Sequence, residues 1–203
     1  MGEWVVFDYG GVLCRDQSED DRRELVALAG VTDAARFWAA YWELRGPYDQ
    51  GVLTAADYWT TVVGRTLTAP EVDTIETADV AGWSHPYEQT LDIATRLAEN
   101  GTSLALLSNC PPPMADAIET MVWTDLIPRR FYSCRLGTLK PDPAIYTAVL
   151  TAIGAAPADV TFVDDRPVNV AGAEAVGMRA LLFTDPATLA ADLDIQGDPW
   201  TTT

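Results

Sequence analysis

Trp4-Val5-Val6-Phe7-Asp8-Tyr9-Gly10-Gly11-Val12-Leu13 is the stretch whose reading decides the fold. Its four leading apolar residues, two of them β-branched, read as a short strand buried on both faces. The run ends on a carboxylate followed by a tyrosine and two glycines. An unpaired charge in an apolar interior is strongly disfavoured, so Asp8 belongs at the strand's mouth or beside a cation. The glycines free the backbone to turn sharply next to it. In an α/β sheet, this is how a reactive side chain reaches the crevice beyond the strand ends.

After Leu13 the periodicity changes from strand to helix. Ser18-Glu19-Asp20-Asp21 has the composition of a helix start, leading into residues 22–29, with Gly30 as the stop. Residues 33–45 form a second helical stretch, on which Phe37, Trp38, Tyr41, Trp42 and Leu44 make a broad aromatic face. Gly46-Pro47 is expected to break it. Thr54, with Asp57 behind it, opens a helix reaching about Leu67. Residues 71–80 read as a fourth helix, ending near Gly82-Trp83. Residues 16–84 are thus a mostly helical unit without a convincing strand. A dense Trp/Tyr set at helical spacing signals core packing first, with some members free to line a pocket.

From Pro86 onward, strands and helices alternate. Residues 87–99 are an amphipathic helix closed by Asn100-Gly101. Ser103-Leu104-Ala105-Leu106-Leu107 is a buried strand ending on Ser108-Asn109. Helix 113–121 and the short strand Phe131-Tyr132-Ser133-Cys134 follow. Helix 143–153 stops at Gly154, Val160-Thr161-Phe162-Val163 is a strand ending on Asp164-Asp165, and helix 168–176 leads to a last strand at 179–183. The tail after Asp194 reads as loosely held. The alternation predicts an α/β fold with a doubly wound parallel sheet and right-handed crossovers. Three strands end on polar groups, which such a sheet gathers along one edge.

Composition sets limits on the partners. The 203 residues carry a formal net charge of −17, which repels nucleic acid and anionic membrane, so neither is expected as a partner. Three widely spaced cysteines without a CxxC argue against a disulfide framework or a zinc site and for a reducing compartment. With no basic leader and no long apolar segment, a cytoplasmic location is expected. The lone histidine, His85, excludes a multi-histidine metal site and reads as structural. No signal for an oligomeric state stands out.

Carboxylates must then carry the chemistry. Asp8 and the Asp164-Asp165 pair would repel one another at close range unless protonated or neutralised by a cation. Mg²⁺ resolves this, because it takes oxygen ligands from one or two carboxylates, water and substrate phosphate. A carboxylate can also attack phosphorus as a nucleophile. Lys140, in Leu139-Lys140-Pro141-Asp142, can hold that nucleophile or offset charge on a transferring phosphoryl group. Ser108 can donate to a phosphate oxygen, and Asn109 can do so or position substrate.

These residues resemble the four motifs of the haloacid dehalogenase superfamily. Phe7-Asp8-Tyr9-Gly10-Gly11-Val12-Leu13 is similar to its first motif, Leu107-Ser108-Asn109 to its second, Lys140-Pro141 to its third and Phe162-Val163-Asp164-Asp165 to its fourth. The likeness covers nearly the whole chain, and the order and spacing of the motifs make it specific. It implies a Rossmann-like core of residues 1–15 and 85–203 with strand order 5-4-1-2-3, and a helical cap of residues 16–84. It also implies that Asp8 is the nucleophile and a metal ligand, with the Gly10 carbonyl and Asp165 as further ligands and Asp164 supporting the metal's waters. Ser108 and Asn109 would bind substrate, and Lys140 would stabilise charge.

One departure stands out. The family's phosphatases carry a second aspartate, the general acid and base, where this chain has Gly10. Proton donation there is worth roughly 10²–10⁴ in rate. Asp16 is a candidate substitute but reads rather as a solvated residue. Glycine at this position also resembles a capped subgroup that includes sugar-1-phosphate phosphatases. The leading expectation is a Mg²⁺-dependent phosphatase of a small phosphorylated metabolite, such as a sugar phosphate, acting through an aspartyl-phosphate. The alternatives are a catalytically impaired binding protein and a metal-independent 2-haloacid dehalogenase, with Arg15 as the carboxylate or halide partner.

Overall fold

The computed structural model describes residues 3–195. The chain begins with β1 (Trp4–Phe7), then four helices: α1 (Glu19–Leu28), α2 (Ala34–Asp49), α3 (Ala55–Val63) and α4 (Ala69–Gly82). Next come α5 (Glu88–Glu99), β2 (Ser103–Ser108), α6 (Pro112–Ile118), β3 (Arg129–Tyr132), α7 (Ser133–Leu136) and α8 (Pro143–Ile153). The chain continues through β4 (Val160–Asp164), α9 (Pro167–Ala175), β5 (Arg179–Leu182) and α10 (Pro186–Asp192). All five strands pair in parallel in the order β3-β2-β1-β4-β5, the expected order with β1 at the centre.

The continuous apolar run of β1 follows from this central place. Val5 and Phe7 enter one apolar layer, with Ile93 and Leu97 of α5, Met114 and Ile118 of α6 and Leu189 of α10. Val6 points the other way, into a layer with Tyr146 and Val149 of α8 and Ala173 of α9. Period-two alternation therefore meets an apolar layer on both faces. Each such side chain gains roughly 1.5–3 kcal/mol by leaving water.

Helices α1–α4 bury a third apolar cluster of their own, with Leu25, Phe37, Tyr41, Tyr58, Trp59 and Ile75 at its centre. The aromatic face of α2 is thus mainly core, as its spacing implied. Tyr48 stacks on Tyr58 at 4.2 Å between centroids. Trp42 is the exception, at 54% exposed. Ser18 caps α1, and Asp21 returns the bond to the Ser18 amide. Thr68 and Glu71 do the same for α4.

Several boundaries differ from the sequence expectation. Pro47 does not end α2 but lies inside it, and the helix runs on to Asp49. Proline removes one helical bond; the last turn is held instead by Tyr48 in the aromatic cluster and by an Arg45–Asp49 ion pair. Helix α3 stops at Gly64, left-handed at φ 79°, rather than near Leu67. The third strand is shifted to Arg129–Tyr132, because Arg130 anchors its start on Glu119 and on the carbonyls of Thr124 and Ile127. Ser133 and Cys134 belong to α7. Helix α10 had no counterpart in the sequence reading.

All three cysteines are free thiols. His85 meets Asp21 at 2.9 Å and is structural, as expected. Among the described residues, no helix is long and apolar enough to cross a membrane. Apart from Ile195, the tail after Asp194 lies outside the described residues.

Candidate active site

The register of the sheet brings the polar strand ends together. Phe7 pairs with Leu106 on one side and Val163 on the other, and the Asp8 amide extends the ladder to the Val163 carbonyl at 2.8 Å. Asp8, Ser108, Asn109 and Asp165 consequently line one cleft of about 730 Å³ at the carboxyl ends of the strands. Lys140, Gly10 and Asn169 also line it, and across from them stand Trp42, Glu43, Arg45 and Asp49 of α2.

Lys140 is buried rather than solvated. Its Nζ lies 2.6 Å from Asp8 Oδ1 and 2.7 Å from Asp164 Oδ2. Burial works against the ammonium, but the two carboxylates outweigh it and hold its pKa above the ordinary lysine value. Asn109 fixes the lysine's backbone: its Nδ2 donates to the Lys140 carbonyl at 3.0 Å, and its Oδ1 accepts from the Lys140 amide at 2.9 Å. The asparagine expected to touch substrate thus has a positioning task that only the fold reveals. Ser108 is buried at the floor of the cleft.

Asp164 is the most enclosed of the carboxylates. It accepts from the Arg166 amide at 2.9 Å, from Lys140 and from the amide of Asn169 at 2.9 and 3.1 Å. Asn169 was not picked out from the sequence, although an amide one helical turn beyond an acidic pair is a usable signal. Asp165 sits exposed at the rim. One oxygen each of Asp8, Asp164 and Asp165 lies within 4.8 Å of the other two.

One ammonium does not offset three carboxylates. Burial and then the charge of Asp164 push the Asp8 pKa well above its usual value, against the pull of Lys140. Burial and Asp164 also raise Asp165, with a further push from Asp16. Crowded hard oxygen donors with excess negative charge fit a hard divalent cation. Asp8 and Asp165 are the more open members, since both Asp164 oxygens already accept protein hydrogen bonds.

The two glycines have separate reasons. Gly11 has φ 76°, and a Cβ on it would stand 2.9 Å from the carboxyl carbon of Asp165, so any other residue would be strained and would push that carboxylate aside. A Cβ on Gly10 would meet the indole of Trp83 at 3.5 Å. Asp16 does line the cleft, where its charge bears on Asp165. Arg15 lies over the Tyr87 ring and lines a neighbouring groove instead.

A buried polar network behind the α2 wall escaped the sequence reading. Arg45 bonds Asp49 at 2.7 Å, Asp79 at 3.0 Å and the Tyr41 hydroxyl at 2.5 Å. Asp79 also accepts from Tyr41 and Gln17. Burial outweighs the attraction of Arg45 and raises Asp49 to about 7. Its backbone carbonyl accepts from the Ser133 hydroxyl, which in turn accepts from the Cys110 amide beside Asn109. The sequence signal was the i,i+4 pair Arg45–Asp49.

Known proteins resemble this chain in both sequence and fold. A flavin mononucleotide hydrolase of Arabidopsis thaliana is 45% identical over 67 residues, 33% of this chain, and this chain spans only about a quarter (27%) of that protein. A sesquiterpene phosphatase, astK, of Aspergillus oryzae is 27% identical across 89% of each chain. In fold, the chain matches an enzyme of Bacteroides thetaiotaomicron solved with magnesium and inorganic phosphate, with TM-score 0.73, 19% identity and coverage of 99% and 98%. It also matches the L-2-haloacid dehalogenase of Xanthobacter autotrophicus, with TM-score 0.69, 21% identity and coverage of 98% and 85%. The profile of the haloacid dehalogenase-like hydrolases matches residues 3–177, and the chain belongs to that family of hydrolases.

Proposed function

We propose that this hydrolase is a Mg²⁺-dependent phosphatase of a small phosphomonoester, working through an aspartyl-phosphate on Asp8. The observation that carries this reading is the clustering of Asp8, Asp164 and Asp165 within 4.8 Å around a single lysine. Bound there by Asp8, Asp165 and the Gly10 carbonyl, with Asp164 behind them, Mg²⁺ would supply the positive charge that a phosphate needs among carboxylates.

The chain's own residues then have distinct tasks. Asp8 Oδ1 accepts from the Tyr9 amide at 2.6 Å and from Lys140, which fixes the carboxylate for its attack on phosphorus. The ester P–O bond breaks as the Asp8–phosphorus bond forms, and the departing oxygen takes its proton from water, since Gly10 offers no side-chain acid. Lys140 draws charge from the reacting group, and Ser108 donates to a phosphoryl oxygen. Asn109 serves by holding Lys140 in place. Water then attacks phosphorus, releasing phosphate and regenerating Asp8. Residues 16–84 act as a cap that closes over a core of residues 1–15 and 85–203 and excludes bulk water. The α2 residues facing Asp8 across the cleft support that division.

A 2-haloacid, the substrate class in the name of one structural neighbour, fits this cleft poorly. Its carboxylate would face three acidic side chains whose one buried lysine is already held by two of them. The test is a panel of phosphomonoesters assayed with Mg²⁺ and with excess chelator. Turnover that needs Mg²⁺ and returns on its re-addition is expected. Hydrolysis of 2-haloacids undiminished by chelator would overturn the proposal.

A further inference from the structure

The cleft has a second character beyond its carboxylates. Trp83 lies against Gly10, two residues from Asp8, with its ring 3.5 Å from where a Cβ would be. Its only polar atom is already used, since Nε1 donates to the Tyr41 hydroxyl at 3.0 Å, and Tyr41 in turn donates to Asp79. The indole is therefore held from behind by the buried network and offers only carbon to the cleft. Trp42 stands beside it, with ring centroids 6.3 Å apart at 85°. Trp42 is 54% exposed, although its α2 neighbours Phe37 and Tyr41 are fully buried. An open indole corner against the reacting carboxylate is a recognition surface for a ring.

Charge narrows the class further. Glu43 and Asp16 line the same cleft outside any ion pair, Asp49 being held by Arg45, and among the described residues Arg166 is the one lining cation outside the Lys140 and Arg45 ion-pair networks. A second phosphate or carboxylate on the leaving group would meet mainly negative potential. Resting on the phosphatase reading above, we infer that the Trp42–Trp83 corner is the leaving-group subsite. The substrate is the phosphomonoester of an uncharged, ring-bearing alcohol, rather than of an open polyol or a hydroxy acid.

Phosphonates that cannot be hydrolysed test this without interference from leaving-group chemistry. Calorimetry on the Mg²⁺-loaded protein compares benzylphosphonate with methylphosphonate. One ring on an indole face predicts roughly tenfold tighter binding of the benzyl compound. Trp42→Ala should clearly lower that ratio, with only the Trp83 face left, and Trp42→Phe, which keeps a ring, should retain most of it. In turnover, benzyl phosphate should show a lower KM than ethyl phosphate or glycerol 3-phosphate, all three being alkyl esters. Equal binding of the two phosphonates, or a ratio untouched by Trp42→Ala, would overturn the inference. If glycerol and ethyl phosphates were hydrolysed with KM values as low as that of benzyl phosphate, the inference would fall and the phosphatase reading would stand. If no phosphomonoester were turned over, both would fall.

Discussion

Lys140→Met is the most revealing single change, because methionine fills the same space and removes only the charge. The wild-type ammonium bridges Asp8 and Asp164 at 2.6 and 2.7 Å while only 4% exposed. Breaking a buried ion pair by deleting one partner costs about 3–5 kcal/mol, since the remaining charge has no counterion. At about 2–4 °C per kcal/mol for a chain of this size, the chelator-treated variant should melt roughly 6–20 °C below wild type. Two responses separate electrostatics from packing. Added Mg²⁺ should raise the melting temperature more in the variant than in wild type, because the cation replaces the missing charge; saturation at about a hundred times Kd is worth about 2.7 kcal/mol. Acidification should also narrow the gap, since two facing carboxylates that have lost their cation bind a proton more tightly folded than unfolded. Stability then rises as pH falls. The assay is thermal denaturation by circular dichroism, with chelator or Mg²⁺, at mildly acidic and mildly alkaline pH. A variant that melts within about 1–2 °C of wild type, with the same Mg²⁺ response, would refute the reasoning, as that shift is under about 1 kcal/mol.

Asp49 is raised from 3.8 to about 7 when folded, so the native state keeps a proton that the unfolded chain releases. This contribution is complete below about pH 4 and is lost as pH rises towards 7. Asp49→Asn should flatten the wild-type decline in urea-unfolding stability across that window, and parallel curves would refute the assignment. Gly11→Ala places a Cβ 2.9 Å from the Asp165 carboxyl at φ 76°, adding about 1–2 kcal/mol of backbone strain. Calorimetry should show weaker Mg²⁺ binding than in wild type. Asn109→Ala leaves the Lys140 amide and carbonyl without their partner, a loss of about 1–3 kcal/mol in stability. Because the asparagine acts through Lys140, kcat should fall while calorimetric Mg²⁺ affinity stays near wild type.

The legible parts of this molecule are those that one segment decides by itself. The first strand could be recognised because burial on both faces demands an unbroken apolar run, and its register then fixes where Asp8, Ser108 and Asp165 meet. The helical character of residues 16–84 was equally open to view through its caps and periodicity. Other features depend on contacts between distant segments. Pro47 is a sound local stop signal, but packing of Tyr48 and pairing of Asp49 carry α2 past it. Asn109 clamps a lysine 31 residues away, and Arg45 meets Asp79 34 residues away; no spacing rule announces either. The absence of a side chain at Gly10 was visible at once, whereas the indole facing it comes from the far end of α4 and appears only when the chain is folded.

The central claim is that Asp8 takes the phosphoryl group in a reaction that needs Mg²⁺. Mass spectrometry of enzyme quenched in acid during turnover of a good substrate tests it most directly. The peptide that contains Asp8 should gain the mass of one phosphoryl group when Mg²⁺ is present and none when it is chelated. Steady turnover with that peptide unmodified, or with the phosphoryl group on another residue, would contradict the account.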